Sequence, residues 1–99
     1  MYVRIAQFEG SPDDLDERIA EVRRRSQADE MGIRQHIKRS MMLVDRESGK
    51  GANWILCETE EDLRKVDEIM NSATPPSGQM RRTSVQMYEV AVDSDEFAK

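Results

Sequence analysis

The sequence predicts a small α+β sandwich: one four-stranded antiparallel sheet with two helices packed on one side. Three observations predict it. Two segments each read as a capped amphipathic helix, strand-like stretches flank both, and the order is strand, helix, strand, strand, helix, strand. Many strand residues are apolar on both faces, so the side of the sheet without helices is expected to meet a second copy of the chain.

Residues 2 to 9 alternate as a strand does, with Val3 and Ile5 on one face and Tyr2, Ala6 and Phe8 on the other. Gly10 ends it. Ser11 then offers a hydroxyl to the open amides of a helix start, Pro12 suits the first helical position, and Asp13 and Asp14 favour the positive end of the helix dipole. Leu15, Ile19, Val22 and Ser26 follow helical spacing and place one face of a helix running to about residue 28.

Met31 and Gly32 close that helix, and a long second strand is expected from about Ile33 to Val44, with its polarity concentrated in the first half. Asp45 to Gly51, reading DRESGKG, is turn chemistry between two β-like runs, so the second and third strands should pair as an antiparallel hairpin. Residues 52 to 58, ANWILCE, form the third strand. Thr59 caps the second helix, with Asp62 placed like the acidic partner of a capping box, and Leu63, Val66, Met70 and Ala73 mark its apolar stripe. Pro75 and Pro76 end it, TPPSGQMRR is loop-like, and residues 83 to 92, TSVQMYEVAV, form the last strand. The domain spans residues 1 to 93, and 94 to 99 read as a polar tail.

Each half is a strand–helix–strand unit. Right-handed crossovers from both put the first and third strands in the centre of the sheet, the ferredoxin-like arrangement. At 99 residues with five aromatic side chains and 35% charged residues the core is thin, and a second subunit would supplement it.

Composition narrows the function. Fifteen basic against 20 acidic residues, net −5, disfavour general binding to nucleic acid or to an anionic membrane surface. No run reaches the ~18 apolar residues of a bilayer span. Cys57 is the sole cysteine, so no intrachain disulfide can form, and MYVRIAQFEG lacks the basic start and apolar run of a secretory signal. The expected location is the cytoplasm. No His, Cys or carboxylate cluster has metal-ligand spacing, and GKG at residues 49 to 51 lacks the spacing of a phosphate loop.

At LVDRESGKGANWILCETEEDLRK, residues 43 to 65, the chain resembles the dimeric α/β-barrel superfamily, in particular its antibiotic-biosynthesis-monooxygenase-like members. The likeness extends to the opening YVRIAQFEGSPDDLDE and the closing MYEVAVD. The resemblance implies a homodimer in which two sheets close into a barrel, with a ligand cavity between each sheet and its helices. Members that degrade haem carry an Asn on the first strand, a Trp at the end of the third and a His on the second helix. Here residues 2 to 9 contain no Asn, Cys57 stands where the Trp is expected, and residues 60 to 74 contain no His. No haem or other cofactor is therefore expected.

Four residues have types suited to catalysis. His36 is the sole histidine, a candidate base on a strand beside Arg34 and Lys38. Asn53, Trp54 and Tyr88 suit orientation and polarisation of a substrate that reacts with oxygen without a cofactor. Each also has a plain reading, as a solvated, core or interface strand residue. Asn53 and Trp54 are adjacent on a strand and so belong to opposite faces. Cys57 reads as a small core residue. Met41, Met42, Met70 and Met87 read as packing or as an adaptable pocket lining. Arg23, Arg24 and Arg25, or Arg81 and Arg82, can hold an anion, although Glu21 to Arg25 at i,i+4 accounts for the first run as a solvated face.

The leading expectation is a homodimeric domain that holds a small apolar or aromatic ligand between sheet and helices. The alternatives are a cofactor-independent monooxygenase or related isomerase acting on an aromatic or polyketide-like substrate, and a purely structural dimerisation domain. Convergence of His36 with Asn53 or Trp54 on one cavity would favour the enzyme.

Overall fold

A computed structural model describes residues 1 to 72 and 81 to 97. Its elements are β1 (Tyr2–Glu9), α1 (Leu15–Ala28), β2 (Arg39–Val44), β3 (Gly51–Cys57), α2 (Glu60–Ser72) and β4 (Arg81–Glu89), with 3-10 turns at Pro12–Asp14, Arg34–His36 and Ser94–Phe97. The strands form one antiparallel sheet in the order β2-β3-β1-β4. The central pair is β1 and β3, as the two crossovers require.

Register sorts the sheet into two faces. Tyr2, Arg4 and Ala6 sit opposite Cys57, Ile55 and Asn53, while Val3 and Ile5 sit opposite Leu56 and Trp54. The first set faces the helices. Ile55, Cys57, Leu63 and Val66 form the buried cluster there, with Tyr2, Ile37 and Met70 packed against it. Arg4 lies in the same layer, buried, and reaches α2 through Nε to Asp67 Oδ1 at 3.0 Å. A buried guanidinium is tolerated because α2 supplies both a carboxylate and the Asn71 amide oxygen.

The second face carries Val3 and Ile5 of β1, Trp54 and Leu56 of β3, Met41 and Leu43 of β2, and Tyr88 of β4. Val3 and Leu56 are buried by their neighbours, but Met41, Leu43 and Tyr88 are exposed. Both α1 and α2 lie on the opposite side, so this face is bare among the described residues.

Several boundaries depart from expectation; the third strand, Gly51–Cys57, lies one residue earlier at each end. The second strand begins at Arg39 rather than Ile33, because polar bonds wind the chain before it. Asp29, left-handed with φ 50°, ends α1, and its Oδ1 accepts from the amides of Ile33 at 3.1 Å and Arg34 at 3.2 Å. The Arg34 guanidinium in turn donates to the Ser26 carbonyl at 2.7 Å. His36 therefore stands in a 3-10 turn and not on a strand. At the front of the first helix, Pro12–Asp14 is a 3-10 turn capped by Ser11, and the α-helix proper starts at Leu15. The last strand runs Arg81–Glu89, two residues earlier at its start and three at its end than expected. The expected polar tail contains the turn Ser94–Phe97, held by Asp93 Oδ1 accepting from the Asp95 amide at 2.9 Å. The expectations for Ala73, Pro75 and Pro76 fall outside the described residues.

The hairpin and the second helix start as read. Asp45 and Lys50 close the hairpin through N–H to O=C at 2.8 Å, and Thr59 Oγ1 accepts from the Asp62 amide at 3.1 Å. The first helix is less buried than its stripe suggested. Leu15 is buried, but Ile19 and Val22 are only half-buried, and Arg18 is the other buried residue. Beneath Val22 the helix stands off the sheet and leaves a cavity.

Candidate functional site

The cavity between α1, α2 and the sheet has a volume of about 610 Å³. That lies within the usual range for small-molecule sites, roughly 300 to 1,000 Å³. β1 contributes Arg4 and Phe8, β3 contributes Asn53 and Ile55, and α1 contributes Val22 and Arg25. The turn region after α1 supplies Met31, Ile33 and Ile37, which the short β2 leaves free to fold over the opening. Most of the wall is apolar, with Met42 and Met70 adding adaptable surface. Met41 also contributes, whereas Met87 does not.

Polar groups converge at the end where α2 meets β1. Asn71 Oδ1 accepts from Arg4 at 3.2 Å and from Arg82 at 2.7 Å. At the other end Arg25 joins an acid–base network: Glu21 Oε1 lies 3.2 Å from Arg25 Nε and 2.8 Å from Arg24, and Glu30 Oε1 lies 2.8 Å from Arg24. The hydrogen bond from Arg24 chiefly holds the Glu21 carboxyl below its ordinary range. Arg24 and Arg25 of the arginine run on α1 are thus paired with Glu21 and Glu30.

The four candidate catalytic residues do not share a site. Asn53 lines the cavity. Trp54, its neighbour, faces the bare side of the sheet opposite Ile5, and Tyr88 lies on that same side opposite Val3. His36 sits outside the lining, with Nδ1 2.9 Å from Asp62 Oδ1. An ionised carboxylate only accepts, so Nδ1 carries the proton. The hydrogen bond from His36, followed by that from Thr59, lowers the Asp62 pKa.

Cys57 is buried in the core, and desolvation pushes its thiol pKa up, with the nearby Asp62 charge adding to the shift. That favours an inert side chain. No group of three or more His, Cys, Asp or Glu among the described residues is placed to hold a metal ion. No helix among them is long and apolar enough to cross a membrane.

Sequence reasoning missed Arg4 and Asn71. A signal for them existed: Arg4 lies in a central strand covered on its helix side, and Asp67 and Asn71 are four residues apart on α2, one turn of a single face. The charge in the strand and the polar pair on the helix answer each other.

No protein-family model matches the chain. No curated protein matches it either. Among solved structures it is similar to one described as the crystal structure of antibiotic biosynthesis monooxygenase, with a TM-score of 0.62, 13% identity, and coverage of 93% of this chain and 100% of the other. At that identity the likeness is one of fold, the ferredoxin-like α+β arrangement.

Proposed function

We propose that the chain is a small-molecule-binding domain of the antibiotic-biosynthesis-monooxygenase type, which works as a homodimer and holds an apolar or aromatic ligand between its sheet and helices. The observation that carries this reading is the cavity of about 610 Å³, open and largely apolar, with Asn53 and three arginines, Arg4, Arg25 and Arg82, at defined positions in its wall. A purely structural domain has no need to keep helix α1 away from its sheet, and Met and Leu side chains would be expected to fill that space. The buried, unpaired Cys57 is in keeping with a reducing, cytoplasmic setting.

The dimer is supported by the bare face. Met41, Leu43 and Tyr88 are exposed beside half-buried Ile5 and Trp54, a contiguous apolar surface of the kind that soluble monomers rarely leave wet. Two such faces pressed together would close the sheets into a barrel and leave each cavity on the outside of the seam.

A second reading, a cofactor-independent monooxygenase or related isomerase, draws on Asn53, the one candidate catalytic residue in the cavity. Under it, Asn53 orients the oxygen of an aromatic substrate, and His36, Trp54 and Tyr88 act elsewhere. The experiment that tests the leading reading is a fragment screen by two-dimensional amide NMR. Aromatic and aliphatic fragments should shift Asn53, Ile55 and Met70 together. Shifts confined to Trp54 and Tyr88, or none at all, would overturn it. Oxygen uptake on anthrone that is lost in Asn53→Ala would move the assignment to the enzyme.

A further inference from the structure

Among the described residues the ionisable side chains that line the cavity are all cationic. Arg4, Arg25 and Arg82 form part of its wall, and among the described residues no Asp or Glu does. This is the reverse of the chain as a whole, in which 20 acidic residues outnumber 15 basic ones.

Two of these arginines meet at one point. Arg4 and Arg82 both donate to the same neutral oxygen, Asn71 Oδ1, at 3.2 and 2.7 Å. A single carboxylate, Asp67, stands beside them and pairs with Arg4 Nε at 3.0 Å. Arg82 makes no ion pair among the described residues; its one side-chain bond is to Asn71. Two guanidinium groups and one carboxylate leave one positive charge uncompensated at the cavity's edge. Holding like charges around one amide oxygen is unfavourable until an anion joins them.

The placement is rigid on one side. Arg4 is only 1% exposed and is fixed by two bonds to α2, so it need not be ordered when a ligand arrives. Asn53 lies on the adjacent strand, opposite Ala6, with its amide on the same cavity. Beyond these groups the wall turns aliphatic, through Ile55, Ile37 and Ile33.

We propose that the occupant of this cavity is an amphipathic monoanion, a carboxylate on an aromatic or aliphatic body. The carboxylate sits at the Arg82 and Arg4 edge, and the body lies along Ile37 and Ile55. One uncompensated charge matches one carboxylate; a dianion would remain half neutralised. Arg82 supplies planar paired donors of the kind a carboxylate accepts. The inference rests on the cavity being a ligand site and adds the ligand's charge and orientation.

The test compares matched acids and neutral amides by titration calorimetry and amide NMR: 1-naphthoate against 1-naphthamide, and octanoate against octanamide. Each acid should bind at least about tenfold more tightly than its amide, the factor one charge-assisted contact supplies. Both members of a pair should shift the side-chain amide signals of Asn53 and Asn71. In Arg82→Gln, whose side chain is exposed and whose fold should be unaffected, the acid should fall to the affinity of the amide while the amide is unchanged. Equal binding of acid and amide by the natural chain, or an acid preference that survives Arg82→Gln, overturns the charge assignment and leaves the cavity reading standing. Failure of all four probes to bind or to shift Asn53 overturns both.

Discussion

His36 Nδ1 lies 2.9 Å from Asp62 Oδ1 and joins the turn after α1 to the first turn of α2. The pair straps the cavity's outer turn to the helix that anchors the core. His36 stands there because Asp29 and Arg34 wind residues 33 to 36 off the sheet, and Asp62 stands there because Thr59 starts the helix three residues earlier. The carboxylate gains from this placement, since its pKa is lowered from its ordinary value near 3.8. A group whose folded pKa is depressed adds stability above its unfolded pKa, and that stability is lost as pH falls through the folded value. Asp62→Asn should therefore lower the melting temperature at neutral pH, and the difference should shrink as pH drops below about 4. Parallel melting curves at several pH values check it; a gap that persists in acid would mean that Asp62 does not act through its charge.

Gly49 has φ 78°, and a Cβ placed there would collide with the Gly10 carbonyl oxygen and come within 2.7 Å of the Pro12 nitrogen. Both obstacles are backbone, so neither can swing aside. Gly49→Ala should destabilise by roughly 2 to 3 kcal/mol, combining left-handed strain with steric displacement. Urea titration followed by circular dichroism measures it. The effect should exceed that of Gly32→Ala, where φ is 67° but no atom lies within 4 Å of the added carbon.

Leu63 belongs to a buried cluster of four residues, and little else replaces its packing. Leu63→Ala should cost about 2 to 5 kcal/mol. In so thin a core the loss could leave the variant largely unfolded at physiological temperature, visible as loss of amide dispersion. Cys57 in the same cluster should resist a thiol reagent in the native protein and react on addition of denaturant.

Leu43 and Tyr88 are exposed at opposite edges of the bare sheet face. The natural chain should elute as a dimer at micromolar concentration. Leu43→Asp and Tyr88→Asp should each shift it toward monomer while leaving the circular dichroism spectrum intact, because a charge would be buried without a partner in the seam. Light scattering after gel filtration decides; a natural chain that runs as a monomer refutes the dimer.

The element order and the caps at Ser11 and Thr59 were legible because each depends on residues close in sequence, and the central position of β1 and β3 because crossover handedness follows from that order. Alternation and helical spacing report local geometry directly. The same reasoning overextended the second strand, since the alternation of residues 33 to 38 yielded to side-chain bonds from Asp29 and Arg34 that alternation does not register. Of the four candidate catalytic residues, the opposition of Asn53 and Trp54 was legible from pleating alone, and only Asn53 lines the cavity.

By itself the sequence determined the α+β architecture and the apolar character of both sheet faces, because periodicity and turn chemistry act over a few residues. The tertiary structure alone decided that Arg4, Asn71 and Arg82 meet, that α1 leaves space above the sheet, and that His36 pairs with Asp62 away from that space. The Arg4–Asn71 bond alone joins positions 67 residues apart. These relations depend on how far helices stand from the sheet, a distance set by the summed packing of side chains and encoded in no short stretch of the chain.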